Sequence, residues 1–328
     1  MIVDFAVHPS DVPLFVLAAI SLIPLAWLIG EATEHAAQHT GPGIGGFLNA
    51  TFGNAPELII SLFAVNDGLY EVVRGSLSGS VAGNLLLVLG FSLLLGPPKE
   101  IDRRSGMTSI ALVLGSLVLF LVVAIPSWHG DTHRHTLQVL SIPVSIVLLL
   151  VYVVVTHFQL RRHRALFAAA SEQGGWSFRT AMIVLGIATA ATAVVAEILV
   201  STIETFAERA HLSDFFVAAV IVAIVGNAAE HGGAVVVARR GRVKLATEIA
   251  LSSSAQVAVF LIPAVVILSW ALKPLTLAFR QVEIAVIGGS ALLAALVLAH
   301  GRSSKWRGAV LVAGYAGAAV VFYKAGAR

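Results

Sequence analysis

Two glutamates, Glu57 and Glu230, stand inside long apolar stretches in nearly the same local setting: Gly53-Asn54-Ala55-Pro56-Glu57 and Gly226-Asn227-Ala228-Ala229-Glu230. The first stretch is bounded by Ile44 and Gly68, the second by Phe215 and Ala238, and neither contains a lysine or arginine. A carboxylate at the centre of a membrane helix costs about 2.5 to 3.5 kcal/mol or more on insertion scales, so such residues face the bundle interior and mark an ion or proton pathway. The alternative is that each acid is permanently protonated or paired with arginine as glue between helices. That reading does not account for the same acid occurring twice in equivalent surroundings.

The neighbouring residues disfavour an unbroken helix at both places. Glycine and asparagine are poor helix formers, and Pro56 has no N–H to give to the carbonyl of Phe52. Carbonyls near Ala50 and Ala223 are thereby freed as oxygen ligands, and a break at this depth is tolerated only where it packs in protein or lines a cavity. Asn54 and Asn227 each precede their glutamate by three residues, which suits an N-cap and places amide and carboxylate on one face. Ala229 stands where Pro56 does, so the two breaks are expected to differ in sharpness. Further along, Ser80 and Asn84 share one helix face, and Ser253 and Gln256 share another. Serines in membrane helices are often mere interhelical hydrogen bonds, but Ser80 and Ser253 both follow their glutamates by 23 residues. Carboxylates, amides, hydroxyls and carbonyls form a hard, all-oxygen set, which suits calcium with its about six to eight oxygens and disfavours zinc or copper.

The elements that must carry these groups follow from composition. Of 328 residues, 58% are hydrophobic and 12% charged, whereas soluble domains carry about 25% charged residues. The bilayer is the natural solvent, and an integral membrane protein is expected. A spanning helix needs about 20 mainly apolar residues, and ten stretches qualify: 12–33, 44–68, 72–95, 106–126, 137–158, 180–206, 213–238, 243–271, 281–299 and 308–324. The expected fold is therefore all-α, with ten transmembrane helices and nothing outside them long enough for a soluble domain. The first eleven residues lack a basic region and a small-residue cleavage site, so the first stretch reads as a retained helix. There are no cysteines, hence no disulfides, thiolate metal sites or cysteine nucleophiles.

The shared motif recurs at an offset of 173 residues, and the same offset places Glu31 on Glu204, Ala50 on Ala223, Gly68 on Gly241 and Ser80 on Ser253 without a gap. That register implies two five-helix repeats, 1–158 and 180–328, joined by a linker at 159–179 within one transmembrane domain. Five is odd, so the second repeat enters from the opposite side; helices 2 and 7, the broken ones, would then meet at a midplane ion site. Of the 21 lysines and arginines, seven fall on the side that holds both termini and fourteen on the other. The positive-inside rule makes the basic loops at 99–104, 161–164 and 239–244 cytoplasmic and both termini external. Because the basic residues occupy short turns and not one face, the net charge of +3 does not indicate nucleic acid.

The runs Gly53-Asn54-Ala55-Pro56-Glu57-Leu58-Ile59-Ile60-Ser61, Gly79-Ser80 through Asn84 to Gly90, and Gly226 to His231 followed by Ser253 and Gln256 resemble the two signature repeats of the calcium/cation antiporter superfamily, specifically its cation/proton exchanger family. The resemblance covers nearly the whole chain. It implies ten core helices in two inverted halves, calcium as main substrate and protons as counter-ion, with no cofactor. It assigns Glu57 and Glu230 as primary ligands, Asn54, Asn227, Ser80, Asn84, Ser253 and Gln256 as site-lining residues, and carbonyls near Ala50 and Ala223 as backbone ligands. Sodium-coupled members carry Ser or Thr in place of Asn54 and Asn227, and His231 also resembles the proton-coupled branch, so His231 joins the two glutamates in proton coupling. Departures are the missing acidic segment between the halves and Ser252 at a position usually glycine. The host membrane implied is a plasma or inner membrane; a homo-oligomer is left open.

Other polar residues carry less. Glu31 and Glu34 fit either a cytoplasmic acidic vestibule or a solvated helix end, and Glu204 the matching external vestibule. Glu197, mid-helix, lies near the pathway or satisfies a neighbour. His35-Ala36-Ala37-Gln38-His39 lacks the glutamate base of a zinc-protease helix, and His129, His133 and His135 read as a wet external turn. No nucleophile or metal-bound water for an intramembrane hydrolase is visible, nor any channel filter, so an enzyme is not expected. The expected chemistry is Ca²⁺ and protons competing for Glu57 and Glu230, with a sodium-coupled exchanger as the nearest alternative.

Overall fold

The computed structural model describes residues 11–130, 135–162 and 175–326. It is all-helical: α1 (Asp11–Phe52), α2 (Ala55–Asp67), α3 (Tyr70–Leu95), α4 (Arg103–Ser127), α5 (His135–Arg162), α6 (Phe178–Arg209), α7 (Asp214–Gly226), α8 (Ala228–Arg239), α9 (Val243–Ser269), α10 (Gln281–Leu298) and α11 (Lys305–Gly326). Among the described residues eight helices are long and apolar enough to cross a membrane, or nine if the bent pair α7–α8 counts as one span. Extended pairing among them is confined to an isolated bridge between Glu100 and Arg302, which ties the loop after α3 to the one before α11.

Helix starts follow ordinary capping chemistry. Asp102 accepts the Ser105 N–H, Ser177 that of Thr180 and Ser213 that of Phe216. The Ser105 N–H, and after it the Lys244 ammonium 3.2 Å away, hold the Asp102 carboxyl below its usual range, which fastens the start of α4 to the start of α9. Gly68 closes α2 at φ +84°, a conformation that suits glycine.

The expected spans 12–33 and 44–68 are not separated at 34–43: the backbone stays helical through to Phe52. Every residue there except Pro42 still has an N–H to give, and glycines weaken a helix without ending it, so the ladder can continue where its neighbours support it. The break falls later, at Gly53 and Asn54, within the stretch expected to be interrupted.

α3 and α9 are the most deeply buried spans, while α5 and α11 are among the least. α1 lies along α6, with Phe15 stacked on Phe206 at 4.1 Å between ring centres. α3 lies flush on α7: a Cβ at Gly79 would stand 2.0 Å from the Ala219 carbonyl oxygen, so only glycine allows this approach. Both central helices contain a π-helical turn, Gly83–Val88 in α3 and Val257–Leu261 in α9, and these turns overlap at the 173-residue offset. Such turns are commonly found at functional sites.

Candidate ion-binding site

α2 and α8 both begin one residue after an asparagine, and both glutamates lie in the first turn that follows. α7 and α8 meet at 58° across Asn227. Asn54 and Asn227 occupy the N-cap positions, but their side chains do not cap. Their ψ angles of 13° and 7° fall outside the extended conformation in which a side-chain oxygen reaches back to the following N–H groups. The expected caps are therefore corrected: the amides turn elsewhere. Asn227 Nδ2 donates to Ser80 Oγ and to the Ala223 carbonyl, both at 2.9 Å, and Asn54 Nδ2 donates to Gln256 Oε1 at 3.4 Å.

The remaining groups are hydrogen-bonded to one another. Asn84 Nδ2 donates to Ser253 Oγ at 3.1 Å, and Ser253 Oγ in turn donates to the Glu230 carboxylate. Every link except Asn227 to Ala223 and Ser253 to Glu230 crosses from one end of the sequence to the other. The Glu57 side chain packs on Gly226, whose Cβ, if present, would be 3.2 Å from Glu57 Cγ. Glu57 is 6% exposed, Glu230 half-buried.

This arrangement orients oxygens. Where the amide hydrogens of Asn84 and Asn227 are engaged, the opposite end of each group is a carbonyl oxygen. Asn84 Oδ1, Asn227 Oδ1 and Glu57 Oε2 are buried and accept no hydrogen bond among the described residues. Buried acceptors without donors are costly in proteins, and oxygens of this kind are what a hard cation binds. Among the described residues no group of three His, Cys, Asp or Glu is placed to hold a metal, so any cation here relies on amides, hydroxyls and carbonyls besides two carboxylates. Ala50 lies in the last turns of α1.

The other named residues spread outward. The His231 ring rests against Gly83 at the π-helical turn of α3, with Tyr315 on the same glycine. Glu31 is 3.6 Å from His35, and Glu34 is exposed. His39 is bonded to the Trp176 carbonyl at 2.9 Å. Glu204 is exposed, and Glu197 is exposed on the same side of α6. His129 and His135 are exposed. His133, residues 163–174 of the expected linker and the first ten residues lie outside the described residues.

Sequence reasoning missed a second buried acid. Glu283, at the start of α10, is fully buried, 4.0 Å from Arg74 and 3.7 Å from Arg280, and accepts the Arg280 N–H at 2.5 Å. Arg280 also lies 3.8 Å over the Phe215 ring and 3.7 Å from Glu71. The signal available was an arginine three residues before a glutamate at the mouth of an apolar stretch.

A family model described as sodium/calcium exchanger protein matches residues 11–161 and 180–324. The chain is 37% identical over 334 residues to the Ca(2+)/H(+) antiporter ChaA of Bacillus subtilis, covering 98% of this chain and 95% of that one. It is 36% identical to vacuolar cation/proton exchanger 1b of Oryza sativa, covering 96% and 76%. Among solved structures, that of native YfkE superposes with a TM-score of 0.85 at 34% identity, covering 98% of this chain and 96% of that one.

Proposed function

The chain belongs to the sodium/calcium exchanger protein family, and from that membership we infer that the protein is a secondary active antiporter exchanging Ca²⁺ for H⁺. The observation that carries this reading is the packing of Glu57 on Gly226, four residues before Glu230, beside buried amide and carboxylate oxygens that accept no hydrogen bond among the described residues. We propose Glu57 and Glu230 as the primary ligands. Asn54, Asn227, Ser80, Asn84, Ser253 and Gln256 line the site, and the carbonyls of Ala50 and Ala223 complete it. The Ala223 oxygen takes one hydrogen bond from Asn227, and a carbonyl has a second lone pair for the ion. His231 assists proton movement.

The ten-helix core is read as two inverted repeats, 1–158 and 180–328, with the basic loops cytoplasmic. Overlapping π-helical turns and matched helix breaks support that reading. Glu31 and Glu34 would then serve the cytoplasmic approach and Glu204 the external one.

Coupling follows from charge. One Ca²⁺ or two protons neutralise the carboxylate pair, and either load lets the cavity close through apolar packing. An empty dianionic pair is too costly to bury away from water, so the protein changes sides only when loaded. Glu57→Gln or Glu230→Gln is expected to abolish pH-gradient-driven ⁴⁵Ca uptake into vesicles while leaving the protein folded and membrane-inserted. Substantial uptake by either variant refutes the ligand assignment. Uptake driven by a sodium gradient at equal pH would instead identify a sodium-coupled exchanger.

A further inference from the structure

The 173-residue offset also pairs Gly75 with Glu248 and Gly79 with Ser252. In α3 the two glycines form the flush contact with α7: a Cβ on Gly75 would lie 2.8 Å from the Phe215 carbonyl oxygen, and one on Gly79 closer still to that of Ala219. The counterparts in α9 carry side chains, so they cannot form such a crossing, and both are half-buried. They belong to one half-buried face of α9 with Leu245, Ile249 and Gln256, while Val243, Ala246, Thr247 and Ala250 on the other face are buried. Gln256 is the residue of this face that reaches Asn54 in the site. Glu248 therefore sits about 12 Å along the helix from Gln256, at 1.5 Å per residue, towards the basic end of the molecule.

Its charge is not absorbed locally. The partner available one turn earlier on the same helix is Lys244, but that ammonium is 3.2 Å from the Asp102 carboxylate. Among the described residues Glu248 has neither an ion pair nor a hydrogen bond.

We propose that Glu248 is a capture residue for the transported dication, a free carboxylate that draws Ca²⁺ from the basic end of the molecule towards Gln256 and Glu230. The repeat that carries Gly75 has no equivalent, so the effect belongs to one side of the membrane only. The proposal rests on the Ca²⁺/H⁺ exchange reading and adds a residue outside its ligand set.

The test is ⁴⁵Ca exchange by Glu248→Gln, Glu248→Gly and Glu248→Asp variants in proteoliposomes sorted by orientation. At low salt, Gln and Gly are expected to raise the KM for Ca²⁺ offered at the basic end about threefold to tenfold. Maximal rate should stay within about twofold, as for loss of uniform binding. The difference should shrink as ionic strength rises, KM at the opposite face should not move, and Asp should recover most of the affinity. An unchanged KM in Glu248→Gln, a change equal at both faces, or one indifferent to salt overturns the proposal. A wild-type protein that exchanges no Ca²⁺ for protons overturns the function reading first, and is told apart by that control.

Discussion

Asn227 commits both amide hydrogens, one to Ser80 and one to the Ala223 carbonyl, so its oxygen is held in a single direction. Ser80 thus aims Asn227, besides its proposed place in the lining of the site. Ser80→Ala removes one of the two acceptors and lets the amide rotate, and we expect the KM for Ca²⁺ to rise about threefold to tenfold with the maximal rate less affected, as when one of several oriented groups is lost. The measurement is initial-rate ⁴⁵Ca uptake against Ca²⁺ concentration. An unaltered KM would mean that Asn227 is positioned by its own turn alone. The residue types of this network were legible in the sequence because a duplicated motif at membrane depth restricts what Glu57 and Glu230 can be. The partner choices were not: Asn84 finds Ser253, and Asn54 finds Gln256, across intervals of 169 and 202 residues. No local spacing encodes those pairings; they exist only once the helices are packed.

At the scale of elements, the contact of α3 with α7 sets the distance between a helix carrying Ser80 and Asn84 and the half-helix that leads to Asn227. A larger residue at Gly79 meets backbone, which cannot swing aside, so the helices must separate. Gly79→Leu should destabilise the protein by about 1 to 3 kcal/mol or more and remove transport, whereas Gly115→Ala, with nothing within 4 Å of its Cβ, should be neutral. Thermal denaturation in detergent beside vesicle transport measures both; a Gly79→Leu protein with wild-type melting would show that the crossing is adaptable. The sequence indicated where α1 and α2 separate, because Gly53, Asn54 and Pro56 cluster there. It did not indicate that the helix between the stretches 12–33 and 44–68 runs on through Gly41, Pro42 and Gly43. Such residues lower helix stability by amounts that tertiary packing can offset, so composition locates weak points without deciding which of them breaks.

Across the whole molecule, residues 275–280 form an extended segment tied down from several directions. Arg74 of α3 donates to the Ala278 carbonyl at 3.1 Å and Trp128, just after α4, to that of Phe279 at 2.9 Å, while Ser141 of α5 accepts the Leu277 N–H and Ser269 of α9 that of Leu275. Arg74 then reaches Glu283, so one guanidinium fastens both the segment and the helix that follows it. Removing Arg74 leaves a buried carbonyl with one donor fewer and a buried carboxylate with Arg280 as its remaining cation. Arg74→Met should therefore cost about 3 to 5 kcal/mol, the range for breaking one partner of a buried ion pair. Glu283→Gln should also destabilise, because Arg74 then lacks its anion. If the two act as a pair, the double variant costs less than the separate losses combined, by about 0.5 to 3 kcal/mol. Equilibrium denaturation of all four proteins in one detergent gives the cycle. Strict additivity would mean that Arg74 works through the Ala278 carbonyl and Glu283 through Arg280, two independent fastenings on the same segment.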